Sequence, residues 1–167
     1  VIAAVVATML AVSGLLAGTL HLVTRTRYAT LLRESKVSTE RGKKHLRRAG
    51  EAFLELKALQ QKERFKVKTS EEQALERTLA DQKAKADGHL QVASMLVNRV
   101  PSAYQDHKAV RNALRDIYLS RLKYSLKTED MAQLAVWIDF FRGAADKGEV
   151  ETAELQELMR AERALKG

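Results

Sequence analysis

The chain opens with an uncharged apolar stretch, and the rest of it alternates apolar and charged positions at helical spacing. Residues 1–24 contain no Asp, Glu, Lys or Arg before Arg25. A helix rises 1.5 Å per residue, so this stretch would extend over about 36 Å, enough to cross a hydrocarbon core of about 30 Å. The pattern predicts a single transmembrane helix over residues 1–24.

Small residues recur along one face of this predicted transmembrane helix. Four of them are our candidates for helix packing: Ala7, Ala11, Gly14 and Gly18. The small-xxx-small spacing of the two glycines favours self-association in lipid, although Gly and Ala are also simply common in membrane helices. A removable signal peptide is the other interpretation, but its apolar core would span only about 7 to 15 residues.

The two following segments are predicted to form a helical hairpin. Residues 25–68 comprise a basic juxtamembrane stalk and the first hairpin helix, with a break expected near residues 33–42 because Gly42 disfavours helix. Residues 69–100 form the second hairpin helix, which Thr69 and Glu72 begin as a capping box. The short connection between the two helices predicts antiparallel packing.

Residues 101–167 are predicted to form a three-helix, tetratricopeptide-like region. Pro101 ends the preceding helix, and three amphipathic stretches follow it. The predicted fold class is therefore all-α: a single transmembrane helix followed by a helical hairpin and a short tetratricopeptide-like helical bundle.

The positive charge is concentrated beside the predicted transmembrane helix. The formal net charge is +8, and residues 25–68 hold 14 Lys and Arg against five Asp and Glu. Cations at a membrane surface attract anionic lipid, which predicts headgroup contacts for Arg25, Arg27, Arg33 and Lys36. Nucleic acid is not an expected partner, because the cations of residues 25–48 follow the predicted transmembrane helix and only Tyr28 lies among them as a possible stacking ring.

The sequence contains no pattern typical of catalysis. It has no Cys, its four His residues are scattered, and it lacks a Gly-rich phosphate loop and an H-E-x-x-H motif. We therefore expect no enzymatic activity, no cofactor and no metal site in this chain.

Three aromatic residues are candidates for contact with other protein chains: Trp137, Phe140 and Phe141. Phe140 and Phe141 are separated by about 100° around a helix, so the three rings cannot share one direction. Either one ring is exposed to a partner, or all three fill a wide core between helices.

Several motifs, taken in order, resemble the transmembrane and post-transmembrane helical region of bacterial receptor-type serine/threonine protein kinases. The likeness covers most of residues 1–150 and rests on the Gly/Ala-rich apolar stretch followed by GKKHL at 42–46, ALE at 74–76, VPSAY at 100–104 and ALRDIYLSR at 113–121. The kinase domain of that family is absent from this chain. The resemblance implies an extracytoplasmic location for residues 25–167, whereas the positive-inside rule predicts the cytoplasmic side.

Two functions follow from these observations. The first is a membrane-anchored helical interaction or sensory domain, part of a receptor-type kinase, that forms a homodimer or a larger complex. The second is a non-enzymatic single-pass accessory or scaffold subunit of a larger membrane assembly. Both predict a single-pass membrane protein whose helical domain lies on a side that the sequence leaves open.

Overall fold

In a computed structural model, the described residues fold into five α-helices and one short 3-10 helix. The structure describes residues 2–62, 69–145 and 152–166, and among their side chains those of 12–13, 15–61, 69–143 and 154–166. The elements are α1 (Ile2–Lys62), α2 (Ser70–Asn98), the 3-10 helix (Ser102–Tyr104), α3 (Lys108–Thr128), α4 (Met131–Ala145) and α5 (Thr152–Lys166). Within the described residues there is no strand, which confirms the all-α prediction.

The prediction of a transmembrane helix over residues 1–24 is wrong. Across the described ranges, no helix combines the length and the apolar character that a membrane crossing requires. The single-pass membrane localisation predicted from the same stretch is therefore wrong as well.

The predicted break near residues 33–42 is also wrong, because α1 is one continuous helix from Ile2 to Lys62. Gly42 lies buried inside it. A Cβ atom at this glycine would lie 2.7 Å from the Cγ and Cδ2 atoms of Leu90. The glycine therefore allows α1 to pack closely against Leu90. The burial of its neighbours outweighs its poor helix propensity.

Helices α1 and α2 form an antiparallel hairpin. Ser35 Oγ donates a hydrogen bond to the Ala93 carbonyl at 3.0 Å, and Ser38 Oγ donates one to the His89 carbonyl at 2.8 Å. The contacts move towards the start of α2 as α1 advances. The predicted capping box at the start of α2 is confirmed, with Thr69 and Glu72 bonded reciprocally.

Two hydrophobic clusters hold the remaining helices. The first joins α1, α2 and the first half of α3 through buried residues that include Leu46, Leu90, Val97, Val110 and Ile117. The second joins the end of α3 to α4 and α5 through Leu122, Leu134, Ile138, Phe141 and Ala161. Helix α3 belongs to both clusters, so it connects the hairpin to the C-terminal helices.

Candidate interaction surfaces

The first surface is the exposed apolar face of α1 between residues 12 and 24. Its large side chains keep 50 to 70% of their surface exposed: Val12, Leu15, Leu16, Leu20, Leu22 and Val23. At about 100° per residue, these six lie within an arc of roughly 160°. The arc forms one continuous apolar stripe, which we call the N-terminal apolar face.

The N-terminal apolar face points away from the helical hairpin. The α1 side chains that contact the core begin at Tyr28, whose ring stacks on Tyr104 at a centroid distance of 4.7 Å. The buried positions of α1, such as Ser35 and Leu46, lie on a different side of the helix. At about 100° per residue, their centre is rotated by about 130° around the helix axis from the centre of the apolar face. Another protein could therefore approach this face without meeting α2 or α3.

The predicted packing residues of α1 fall mostly outside the described side chains. Ala7, Ala11 and Gly14 lie outside the positions whose side chains the structure describes. Gly18 is exposed, and a Cβ atom there would have no atom within 4 Å. The structure thus places the large apolar residues, rather than a close-packed small face, at the described part of this surface.

The cations beside this surface are exposed. Arg25, Arg27, Arg33 and Lys36 all lie on the solvent side of α1. Their contact with lipid headgroups stays an untested prediction.

The second surface is an aromatic cluster on α3 and α4. The Tyr118 ring lies 6.4 Å from Trp137 and 5.4 Å from Phe140, and the last two rings are 5.6 Å apart. Phe140 is 52% exposed, whereas Phe141 points into the core and is fully buried. The three predicted aromatic residues therefore separate into an exposed ring, a half-buried ring and a core ring, and their contact with a partner stays a prediction.

A partly buried cation completes the aromatic cluster. The guanidinium carbon of Arg121 lies 4.5 Å from the centroid of the Trp137 ring, and Arg121 Nη1 donates to Asp87 at 2.9 Å. Burial lowers the pKa of Arg121, and the charge and hydrogen bond of Asp87 partly offset that effect. Arginine remains charged at neutral pH even so, and its stacking fixes the Trp137 ring.

A third surface lies between α1 and α3, where cations from both helices meet. Lys43 Nζ lies 2.7 Å from each carboxylate oxygen of Asp116 and donates to Glu40 at 3.0 Å. Arg47, Lys123 and Lys127 line the same depression. We call it the basic groove.

Sequence reasoning missed the basic groove and the partners of the aromatic rings. The signal for the groove was present in the spacing, because Lys43 with Arg47 and Lys123 with Lys127 are both i, i+4 pairs that share a helix face. The net charge of residues 69–167 does not reveal the second pair, because acidic residues in the same segment cancel its positive charge. The stacking of His45 on His89, 5.5 Å apart across the hairpin, had no sequence signal.

The described residues offer no arrangement suited to metal-dependent chemistry. Among them, no group of three or more His, Cys, Asp or Glu side chains is placed to hold a metal ion. The three surfaces are suited to binding, since they combine exposed apolar groups, aromatic rings and cations.

Comparisons with protein-family models, with characterised proteins and with solved structures found no match to this chain.

Proposed function

We propose that the protein is a non-enzymatic helical interaction domain that associates with a second copy of itself through the N-terminal apolar face. The observation that carries the proposal is the exposure, at 50 to 70%, of six large apolar side chains on one side of α1. Exposed apolar patches of this kind mark interaction sites in proteins. The resemblance to receptor-type kinases and a sensory role both stay predictions.

A second copy fits this face because the face is uncharged and, apart from Thr19, apolar along its described length. Residues 12–24 contain no Asp, Glu, Lys or Arg. Val12, Leu16, Thr19 and Val23 also follow the alternating spacing of four and three that forms a helix-pairing seam. Two identical apolar seams bury each other without leaving a charge unpaired.

The charges that follow the face favour an antiparallel pair. Arg27 and Arg33 are exposed beyond it, and at about 100° per residue each lies roughly 60° from the centre of the face. In a parallel pair, these cations would lie beside their copies and repel them. In an antiparallel pair, the apolar segments overlap and the basic segments lie at opposite ends.

The test is the molar mass of the full chain in solution, measured by sedimentation equilibrium over a concentration series. We expect a dimer for the parent chain and a monomer for the double variant Leu16→Glu and Val23→Glu. The matched control is Val37→Glu with Leu54→Glu, because these α1 side chains are 47% and 48% exposed but lie outside the face. A parent chain that stays monomeric up to about 1 mM, equivalent to about −4 kcal/mol, would overturn the proposal.

Disulfide trapping tests the orientation, because the natural chain has no cysteine. A parallel pair brings each seam residue beside its own copy, so both Val12→Cys and Val23→Cys would form disulfide-linked dimers. We expect an antiparallel pair, in which no more than one of these two variants can do so. Efficient linkage of both would contradict the antiparallel arrangement.

A further inference from the structure

The basic groove presents cations from two facing helices around a small depression. It has a volume of about 410 Å³ and is lined by Lys43 and Arg47 of α1 and by Lys123 and Lys127 of α3. Each pair is separated by four residues, so each presents its two cations on a single helix face. The groove therefore holds four positive groups in two opposed rows.

The carboxylate within the groove is already paired with a lysine. Both oxygens of Asp116 lie 2.7 Å from Lys43 Nζ. Burial alone would lower the pKa of Lys43, but hydrogen bonds and charges from Asp116 and Glu40 raise it above its ordinary value. The nearest approach between Arg47 and Glu51 is 3.8 Å, and both side chains are more than half exposed, so that pair is weak.

Three cations are thus left to act on a bound anion: Arg47, Lys123 and Lys127. The position of Lys127 is set by close contact with α1, since a Cβ atom at Gly50 would lie 3.0 Å from its Cδ and 3.1 Å from its Nζ. The missing side chain of Gly50 gives Lys127 room to lie against α1. This contact brings the α3 ammonium group towards the α1 cations.

The groove also offers apolar surface. Leu46 and Leu119 line it, together with Tyr124.

We propose that the basic groove binds a small organic phosphate. Arginine and lysine side chains are the usual phosphate ligands of proteins, and arginine can bind two phosphate oxygens at once. The groove is larger than one phosphate requires, and its volume lies within the range of small-molecule sites. The apolar residues would contact the organic part of the ligand. This site is separate from the N-terminal apolar face and does not depend on self-association.

The test is isothermal titration of the full chain with glucose 6-phosphate, inorganic phosphate and glucose at low ionic strength. We expect saturable binding of glucose 6-phosphate, at least about tenfold tighter than that of inorganic phosphate, and none of glucose. The affinity should fall as salt is added, because the groove is open to solvent. Binding that does not saturate, or equal affinity for the two phosphates, would overturn the proposal.

Matched variants locate the site. Arg47→Gln and Lys123→Gln should each weaken binding about tenfold, the usual effect of losing a charge-assisted hydrogen bond. Arg48→Gln is the control, because Arg48 is exposed on the same helix and does not line the groove. An equal loss in Arg48→Gln and Arg47→Gln would show nonspecific attraction and overturn the proposal.

Discussion

Leu90 packs directly against the backbone of Gly42. A Cβ atom at Gly42 would lie 2.7 Å from two carbons of the Leu90 side chain and 3.4 Å from the Ala86 carbonyl oxygen. Leu90 and Ala86 are both fully buried, so neither has free space into which to move. The close approach of α1 and α2 at this point therefore depends on the absence of a side chain.

Gly42→Ala should destabilise the fold. Alanine favours helix by about 1 kcal/mol over glycine, but forcing an extra methyl into a packed interface costs about 1 to 3 kcal/mol. We expect a net loss of about 1 kcal/mol in the free energy of unfolding, measured by urea denaturation. Gly88→Ala is the matched control, because nothing lies within 4 Å of its Cβ position. That control should stabilise the protein by about 0.5 to 1 kcal/mol, and a gain at both positions would contradict the packing role of Gly42.

The start of α2 and much of the hairpin could be predicted from the sequence. Thr69 and Glu72 form the expected capping box because that interaction is local and needs only the spacing of two residues. Leu46, Ala49 and Leu56 are buried, and their spacing of three and seven residues is typical of one face of a helix. The prediction that Gly42 breaks the helix is wrong. Its packing partner Leu90 lies on another helix, so no local sequence pattern indicates the contact.

Most contacts between helices could not be predicted from the sequence. Lys43 and Asp116, for example, are far apart in the chain, and only the packing of α3 on α1 brings them together. Periodicity could show that Phe140 and Phe141 point in different directions. It could not show which of them enters the core, because that depends on where α5 packs.

Phe141→Ala should be far more destabilising than Phe140→Ala. Phe141 is fully buried in the second hydrophobic cluster, whereas Phe140 is 52% exposed. Removing a buried phenylalanine costs about 3 to 5 kcal/mol, because it removes apolar burial and leaves a cavity. We expect a loss of that size for Phe141→Ala and about 1 kcal/mol for Phe140→Ala, measured by urea denaturation. Equal losses would mean that both rings belong to the core.

Alkaline pH should weaken the fold through two tyrosines. Burial raises the pKa of Tyr118, against an opposing effect of Arg121, and burial with nearby carboxylates raises the pKa of Tyr124. Since the folded-state pKa lies above the unfolded value of about 10, their contribution to stability is complete below pH 10. It is then lost as the pH rises through the folded-state pKa.

The check on this pH dependence is the melting temperature between about pH 8 and 12. The variant that combines Tyr118→Phe with Tyr124→Phe cannot ionise at these positions. Its melting temperature should therefore fall less steeply above pH 10 than that of the parent chain. Parallel curves for the two proteins would show that these hydroxyls do not link folding to pH.

The ion pair between Arg115 and Glu154 should be essential for docking α5 onto α3. Arg115 Nη2 lies 2.5 Å from Glu154 Oε2, and the two side chains are only 8% and 15% exposed. Removing one member of a buried pair costs about 3 to 5 kcal/mol, because the remaining charge is held away from water. Glu154→Ala should therefore lower the free energy of unfolding by about 3 kcal/mol and increase hydrogen exchange throughout α5. Glu157→Ala is the control, since its pair with Arg160, whose side chain is 62% exposed, should contribute less than about 1 kcal/mol. A Glu154→Ala variant as stable as this control would mean that apolar contacts through Ala161 and Leu158 alone hold α5 in place.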